Sequence, residues 1–104
     1  MRTIEETVAI RLSGRIDVST VSSCRDLLQA ALDETGGTLV VDLGGVDLID
    51  LTGLGMLVAA QHRARRGGRD IVLRNVPPRV TRLLRATRLD RVLHVERPGV
   101  STVA

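Results

Sequence analysis

Apolar and polar residues along this chain follow two periods in turn. In segment 7–13 every second residue is apolar, which is the spacing of a half-buried β-strand, and residues 14–17 are predicted to carry the chain out of the sheet. Segments 38–43 and 71–74 are nearly continuous apolar runs, typical of buried strands in a parallel sheet. After each strand, apolar positions recur three or four residues apart, the spacing of a helix.

The first predicted helix begins near Ser19 or Thr20, which we expect to cap it. It ends at Gly36-Gly37, because glycine suits a left-handed helix C-terminus. Its single cysteine, Cys24, is interpreted as a small core residue that cannot form an intrachain disulfide. The predicted apolar face consists of Val21, Cys24, Leu27, Leu28 and Ala31.

The second predicted helix runs from about Thr52 to about Arg65, and its inner face holds Leu54, Leu57 and Val58. The third opens at Pro77-Pro78, since proline is tolerated in a first turn. Its inner stripe is formed by Val80, Leu83, Leu84 and Thr87, and its other side by Arg79, Arg82, Arg85 and Arg88. We interpret the arginine row as a solvated face, with contact to nucleic-acid phosphates or to an acidic partner as alternatives.

This alternation of strands and helices predicts an α/β fold with right-handed crossovers. We expect one domain over residues 1–97 and a loose C-terminal tail over residues 98–104, because 104 residues supply only one modest core. In open sheets of this class, functional residues gather beyond the carboxyl ends of the strands. Segment 42–56, which follows the predicted central strand, is such a place.

The composition argues against several functions. No residue is aromatic, so bases would find no stacking platform, and we expect no direct nucleic-acid partner. All 15 basic residues are arginine and the net charge is +3, which we interpret as scattered, solvated charge. No apolar run is long enough to span a bilayer and no secretory signal is recognisable, so we expect a cytoplasmic protein without a membrane partner.

Motifs for catalysis and for cofactors are also missing. Segment 53–58 lacks the third glycine of a dinucleotide fingerprint, and a chain without lysine cannot form a P-loop. His62 and His94 have no cysteine or second histidine at ligand spacing. Three nearby acids have structural explanations and need not form a carboxylate cluster. Asp42 ends a strand, Asp47 forms a turn and Asp50 caps a helix. We therefore expect no catalytic residue, no metal, no cofactor and no enzyme activity.

Thr52 lies at the start of the second helix, between an acid and two glycines. Asp50 is the predicted N-cap, so the Thr52 hydroxyl falls in the first turn, where free N–H groups and the helix dipole favour negative charge. Gly53 and Gly55 each cost about 1 kcal/mol relative to alanine in a helix, which either close approach of another backbone or tight helix–sheet packing would explain. The hydroxyl is either a site for a reversible phosphate or merely a capping group.

Three segments resemble the signature of STAS domains, specifically of bacterial anti-sigma factor antagonists. The central one reads V-V-D-L at 40–43 and V-D-L-I-D-L-T-G-L-G at 46–55, and the other two are segments 12–17 and 66–84. The resemblance covers roughly residues 6–95, nearly the whole chain. It implies a small mixed β-sheet of about four strands flanked by three to four α-helices.

The resemblance also implies a partner-switching role. The unmodified protein would bind an anti-sigma factor that is also a serine/threonine kinase, free a sigma factor, and be switched off when the kinase phosphorylates Thr52. We expect a monomer or weak homodimer. Its expected partner contacts are Asp17 and the residues around Thr52, namely Asp50, Leu51, Gly53, Leu54, Gly55 and Met56.

Three positions depart from the family's usual pattern. Leu51 and Thr52 stand where the family most often has two serines, and Arg88 stands where it often has glycine. Threonine keeps the acceptor hydroxyl and adds a methyl group. Two alternative functions stay open: a constitutive STAS scaffold without phosphorylation, and a sensor of a small molecule or nucleotide with a pocket near Gly53 and Gly55.

Overall fold

Strands and helices alternate along residues 7–96, the part of the chain that the computed structural model describes. In chain order they are β1 (Val8–Ile16), α1 (Val21–Glu34), β2 (Thr38–Ile49), α2 (Leu51–Arg66), β3 (Asp70–Arg74), α3 (Pro78–Ala86) and β4 (His94–Val95), with a 3₁₀ turn at Leu89–Arg91 before β4. The predicted α/β fold is confirmed. The predicted tail, residues 98–104, lies outside the described residues.

The four strands form one sheet in the order β1-β2-β3-β4, and each strand is parallel to its neighbour. The resemblance implied a mixed sheet, but no antiparallel pairing occurs within residues 7–96, so the sheet in this range is parallel. Because neighbours in the sheet are also neighbours in the chain, right-handed crossovers place the three helices on the same face. The contact between α1 and α2 agrees with this arrangement.

Two strands extend further than the apolar pattern indicated. β2 continues past the predicted end at Leu43 as far as Ile49, and β1 continues past Ser13 as far as Ile16. The predicted end of β2 at Leu43 and the predicted turn at Asp47 are therefore wrong, as is the prediction that the chain leaves the sheet at residues 14–17. Backbone pairing between the two strands outweighs the low intrinsic strand preference of glycine here.

The two extensions pair with each other. Gly14 lies opposite Val46 and Ile16 opposite Ile49, with shifts of register on either side of Gly14. Gly14 has φ +74°, a left-handed conformation that glycine adopts without a steric penalty and that suits a bulge in the strand. β1 and β2 thus continue as a two-stranded ribbon, because β3 ends at Arg74, opposite Asp42.

One aliphatic core joins the sheet to the helices. Its fully buried members include Leu39, Val41, Leu43 and Leu73 from the strands and Leu28, Leu32, Leu57 and Leu84 from the helices. Cys24 is buried in this core, as predicted. Leu27, in contrast, is 51% exposed, because a helix turns about 100° per residue and only Leu28 falls on the inner side.

The ends of the helices agree with the predictions from the sequence only in part. Thr20 precedes α1, but its hydroxyl makes no cap to the helix. α1 ends at Glu34, and Gly36 does not take the left-handed conformation that was predicted. α3 begins at Pro78, and all four arginines of its predicted outer row are exposed: Arg79, Arg82, Arg85 and Arg88. Among the described helices, none is both long and apolar enough to cross a membrane.

Candidate functional site

The carboxyl ends of β1 and β2 bring two predicted site segments together. Ile16 and Ile49 are paired at the end of the ribbon, and the next residues are Asp17 and Asp50. The Asp50 N–H donates a hydrogen bond to the Ile16 carbonyl at 3.2 Å. The loop that leads into α1 and the first turn of α2 are therefore direct neighbours, although they are separated by more than thirty residues of chain.

Asp17 organises the loop before α1. Its Oδ1 accepts hydrogen bonds from the Ser19 N–H at 3.0 Å and from the Ser19 hydroxyl at 2.7 Å. These two bonds, assisted by Arg15, hold the pKa of the Asp17 carboxyl below its usual value. The Thr20 hydroxyl donates to the Arg15 carbonyl at 2.7 Å and accepts from the Asp17 N–H at 3.0 Å. The predicted cap residue thus stabilises the loop instead of the helix.

Asp50 is the N-cap of α2, as predicted. Its Oδ1 accepts a hydrogen bond from the Gly53 N–H at 3.0 Å, and its own carbonyl accepts from the Leu54 N–H at 2.9 Å. The N–H groups of Leu51 and Thr52 come too early in the helix to have an intrahelical acceptor. The first turn therefore presents a partial positive charge close to Thr52.

Thr52 itself is exposed. Its hydroxyl makes no hydrogen bond to any residue in the range 7–96, so it does not act as the capping group considered above. Asp50 performs the capping with its own side chain. The residue is accordingly accessible from solvent.

Two large apolar side chains beside Thr52 are exposed. Leu51 is 67% exposed and Val18, at the tip of the Asp17 loop, is 77% exposed. Val18 was not among the predicted site residues. The signal was an apolar residue inside an otherwise polar turn, between Asp17 and Ser19. We refer to the accessible surface formed by Asp17, Val18, Asp50, Leu51, Thr52 and Gly55 as the Thr52 face.

Three of the predicted partner-binding residues belong to the interior. The side chains of Leu54 and Met56 are buried in the core, and Gly53 is buried at the helix–sheet contact. A Cβ at Gly53 would lie 2.8 Å from the Ile16 carbonyl oxygen and 2.7 Å from the Ile49 side chain. Tight helix–sheet packing thus explains Gly53. These three residues pack in the interior beneath the Thr52 face and are not accessible to a partner.

Gly55 differs from Gly53 in its surroundings. It is exposed, and a Cβ at this position would lie more than 4 Å from every residue of the described range 7–96 outside its own helical turn. Packing within the described part of the chain therefore gives no reason for glycine here. Close approach of another molecule is the remaining explanation of the two that the sequence offered.

Other reactive groups lie away from this face. Burial raises the pKa of the Cys24 thiol, which disfavours the reactive thiolate. His94 contacts Asp70 through Nδ1 and Arg65 through Nε2, both at 2.9 Å, at the β3–β4 edge. Within residues 7–96, no group of three or more His, Cys, Asp or Glu side chains is placed to hold a metal ion.

The chain matches the family model described as Mlab, STAS domain, over residues 2–95. It belongs to the STAS domain family. The resemblance inferred from segments 12–17, 40–55 and 66–84 is therefore confirmed, and the STAS domain covers the whole of the Thr52 face.

Relatives and solved structures agree with this assignment. The anti-sigma-B factor antagonist of Staphylococcus aureus (strain NCTC 8325 / PS 47) is 27% identical over 86 residues, which cover 83% of this chain and 80% of that protein. The crystal structure of an anti-sigma factor antagonist from Mycobacterium paratuberculosis superposes with a TM-score of 0.73 at 25% identity, covering 94% of this chain and 86% of that chain. The Bacillus cell fate determinant SpoIIAA in its phosphorylated form shares the fold, with a TM-score of 0.65 at 20% identity over 94% of this chain and 89% of that chain.

Proposed function

We propose that this STAS domain is an anti-sigma factor antagonist whose Thr52 face binds an anti-sigma factor kinase, and that phosphorylation of Thr52 releases the partner. The observation that carries the proposal is the exposed, unbonded Thr52 hydroxyl beside two exposed apolar side chains, Val18 and Leu51. The names of the similar proteins support the same role. In this role the chain is a binding protein of the cytoplasm and performs no catalysis.

The apolar part of the face supplies the affinity. Burying a leucine or valine side chain contributes about 1.5–3 kcal/mol, and Leu51 and Val18 are large enough to anchor a contact. Both are held by hydrogen-bonded turns, Val18 by the Asp17–Thr20 loop and Leu51 by the Asp50 cap. The face is therefore ordered before a partner arrives, which reduces the entropy lost on binding.

The proposed modification is an ordinary phosphoryl transfer from ATP. The Thr52 oxygen forms a bond to the γ-phosphorus, the bond from that phosphorus to the β–γ bridging oxygen breaks, and ADP leaves. The hydroxyl proton passes to a base on the kinase. The chain itself contributes only an accessible acceptor oxygen, and the chemistry is the kinase's.

The fold of the chain tolerates the phosphate. A phosphothreonine carries about −1.5 to −2 charges, and at the start of α2 the helix dipole favours negative charge by about 0.3–1 kcal/mol. The N–H groups of Leu51 and Thr52, which have no acceptor within the helix, also favour a negative charge at this position. We therefore expect phosphorylation to leave the stability of the domain unchanged or slightly raised.

Phosphorylation should lower the affinity for the partner, although it leaves the fold stable. A partner carboxylate about 6–7 Å from the phosphate would be repelled by about 2.5 kcal/mol per unit charge at an effective dielectric near 20. An energy of this size weakens binding by about a hundredfold. The same charge thus leaves the fold intact and removes the partner.

Two substitutions at Thr52 that have nearly the same shape but differ in charge test the proposal. Thr52→Asp adds a negative charge, whereas Thr52→Asn adds an uncharged side chain of the same size. We expect Thr52→Asp to bind the histidine-kinase-like anti-sigma factor encoded in the same genome at least tenfold more weakly than Thr52→Asn, by titration calorimetry. Equal affinity of the two variants would refute the charge mechanism.

The site of modification needs a separate measurement. Incubation with that kinase and ATP should add about 80 Da to the wild-type chain and nothing to Thr52→Ala. A wild-type chain that binds the kinase but never gains mass would identify a constitutive scaffold, the alternative left open by the sequence. Stabilisation by a nucleotide in the absence of kinase would instead identify a sensor.

A further inference from the structure

A groove lies between the far end of β2 and the start of α3. Its volume is about 740 Å³, and its apolar lining comes from Val46 and Ile49 on the strand and from Val80 and Leu83 on the helix. Leu48, which is 40% exposed, also borders the groove. A volume of this size falls in the range of sites that hold a ligand or a peptide segment.

The strand side of the groove is an unpaired sheet edge. β3 pairs with β2 only as far as Asp42, opposite Arg74, whereas β1 pairs with β2 as far as Ile49. Segment 46–49 consequently has β1 on one side and the groove on the other. On the groove side its backbone N–H and C=O groups form no hydrogen bond with any part of the chain between residues 7 and 96. About 13 Å of strand edge is thus open to pairing.

The helix side of the groove carries positive charge. Arg79 and Arg82 border it and are exposed on α3. Neither guanidinium forms an ion pair or a hydrogen bond with a described residue. Asp47, on the strand side, is the acid that borders the same groove. A ligand that lies along β2 would therefore meet cations on its α3 side.

We propose that this groove binds an extended, acidic segment of the partner, which adds to the free edge of β2 as a further strand. This inference rests on the proposed function, because the partner is the same anti-sigma factor kinase. Backbone hydrogen bonds to segment 46–49 give affinity that does not depend on side chains. Apolar side chains of the segment lie against Leu83 and Leu48, which are both partly exposed, and its carboxylates pair with Arg79 and Arg82.

The groove and the Thr52 face are close enough for one partner to cover both. Ile49 and Thr52 are three residues apart, so their Cα atoms are separated by at most about 11 Å. A protein interface of ordinary size buries about 800 Å² on each side, which corresponds to a patch with a radius of about 16 Å. A kinase centred on Thr52 therefore reaches the groove.

Charge reversal at two neighbouring arginines tests the groove. Arg82 borders the groove and Arg85 does not, yet both are exposed on α3. We expect Arg82→Glu to slow association with the kinase about tenfold at low salt and Arg85→Glu to leave it within twofold of wild type. The difference should shrink when the ionic strength rises from about 50 mM to about 500 mM. Equal effects of the two substitutions would overturn the proposal.

Amide hydrogen exchange tests the strand addition directly. In the complex of the unphosphorylated chain with the kinase, we expect slower exchange at alternate residues of segment 46–49 than in the free chain. Unchanged exchange there, together with protection at Leu51 and Thr52, would remove the groove from the interface and leave the proposed function intact. If the kinase fails to bind the wild-type chain at all, the proposed function and the groove proposal are both wrong.

Discussion

The Thr52 face and the polar row that crosses the strands of the sheet differ in how far their side chains are bonded within the chain. In the row, Arg11, Asp42 and Arg74 lie side by side on adjacent strands, and Glu96 follows β4. Arg74 donates to the two Glu96 carboxylate oxygens at 2.8 and 3.0 Å. On the Thr52 face, the hydroxyl forms no hydrogen bond with any residue of the described range 7–96, and the apolar side chains of Val18 and Leu51 are exposed.

Asp42 and Arg74, the central pair of the row, both form hydrogen bonds within the chain. Asp42 accepts a hydrogen bond from the Gly44 N–H at 2.7 Å, and this bond, followed by contributions from Asn75, Arg11 and Arg74, lowers the pKa of its carboxyl. The Glu96 partner raises the pKa of the Arg74 guanidinium. Groups whose hydrogen-bonding capacity is already used within the chain gain little from a further bond to a partner. The unbonded hydroxyl and the exposed apolar side chains, and not charge as such, therefore distinguish the proposed binding face from the polar row.

The largest expected effect concerns the support beneath the Thr52 face. Gly53→Ala places a methyl group against the Ile16 backbone, and we expect a loss of about 2 kcal/mol from the free energy of unfolding because such a packed contact cannot relax cheaply. The matched change Gly55→Ala meets open space and should stabilise the domain by about 0.5–1 kcal/mol through helix propensity. Urea unfolding measures both. Similar values for the two variants would contradict the distinct roles assigned to these glycines.

The cap of α2 comes next. Asp50→Ala removes the acceptor of the Gly53 N–H, and we expect the free energy of unfolding to fall by about 1 kcal/mol. Asp50→Asn keeps an oxygen at the same position, so its stability should stay close to that of the wild type. An equal loss in both variants, by urea unfolding, would show that the charge of Asp50 matters more than its hydrogen bond.

A smaller effect is expected in the polar row. Glu96→Gln removes the charge that faces Arg74, whose side chain is 41% exposed, so solvent already screens much of the pair. We expect a lower urea midpoint, with a change smaller than that of Asp50→Ala. Kinase binding by Glu96→Gln should equal that of the wild type. Weaker binding would mean that the polar row also contributes to the interface.

The smallest effect is a dependence of stability on pH. Hydrogen bonds from Ser19 lower the pKa of Asp17 in the folded chain below its ordinary value of 3.8, so the unfolded chain binds more protons in the window between the two values. The stabilisation from Asp17 is therefore present above the unfolded pKa and is lost as the pH falls through the folded pKa. Between about pH 5 and pH 2, Asp17→Asn should lose less stability than the wild type. An identical loss in the two chains would contradict this assignment.

Local chemistry made the start of α2 predictable from the sequence. Asp50 caps the helix because its side chain reaches the Gly53 N–H, and this reach depends only on residues that are close in the chain. The exposure of Thr52 follows from the same turn. Leu54 and Leu57 were assigned to the inner face by spacing alone, and both are buried.

Features that depend on distant contacts were not predictable in the same way. Gly44 and Gly45 have low strand preferences, yet both lie within β2, where Gly45 pairs with Ser13 of β1. Met56 was assigned to the partner surface, whereas the packing of α2 buries it. The groove results from the early end of β3 at Arg74 relative to β2, a difference in length that appears only when the strands are paired.

The missing side chain at Gly53 has a mechanical consequence. With no Cβ there, the first turn of α2 sits directly on the last residue of β1, and the Asp50–Ile16 hydrogen bond fastens it in place. We expect a helix held in this manner to keep its orientation when charge is added at its first turn. The repulsion from the proposed phosphate at Thr52 would then act on the bound partner and leave the position of the helix unchanged.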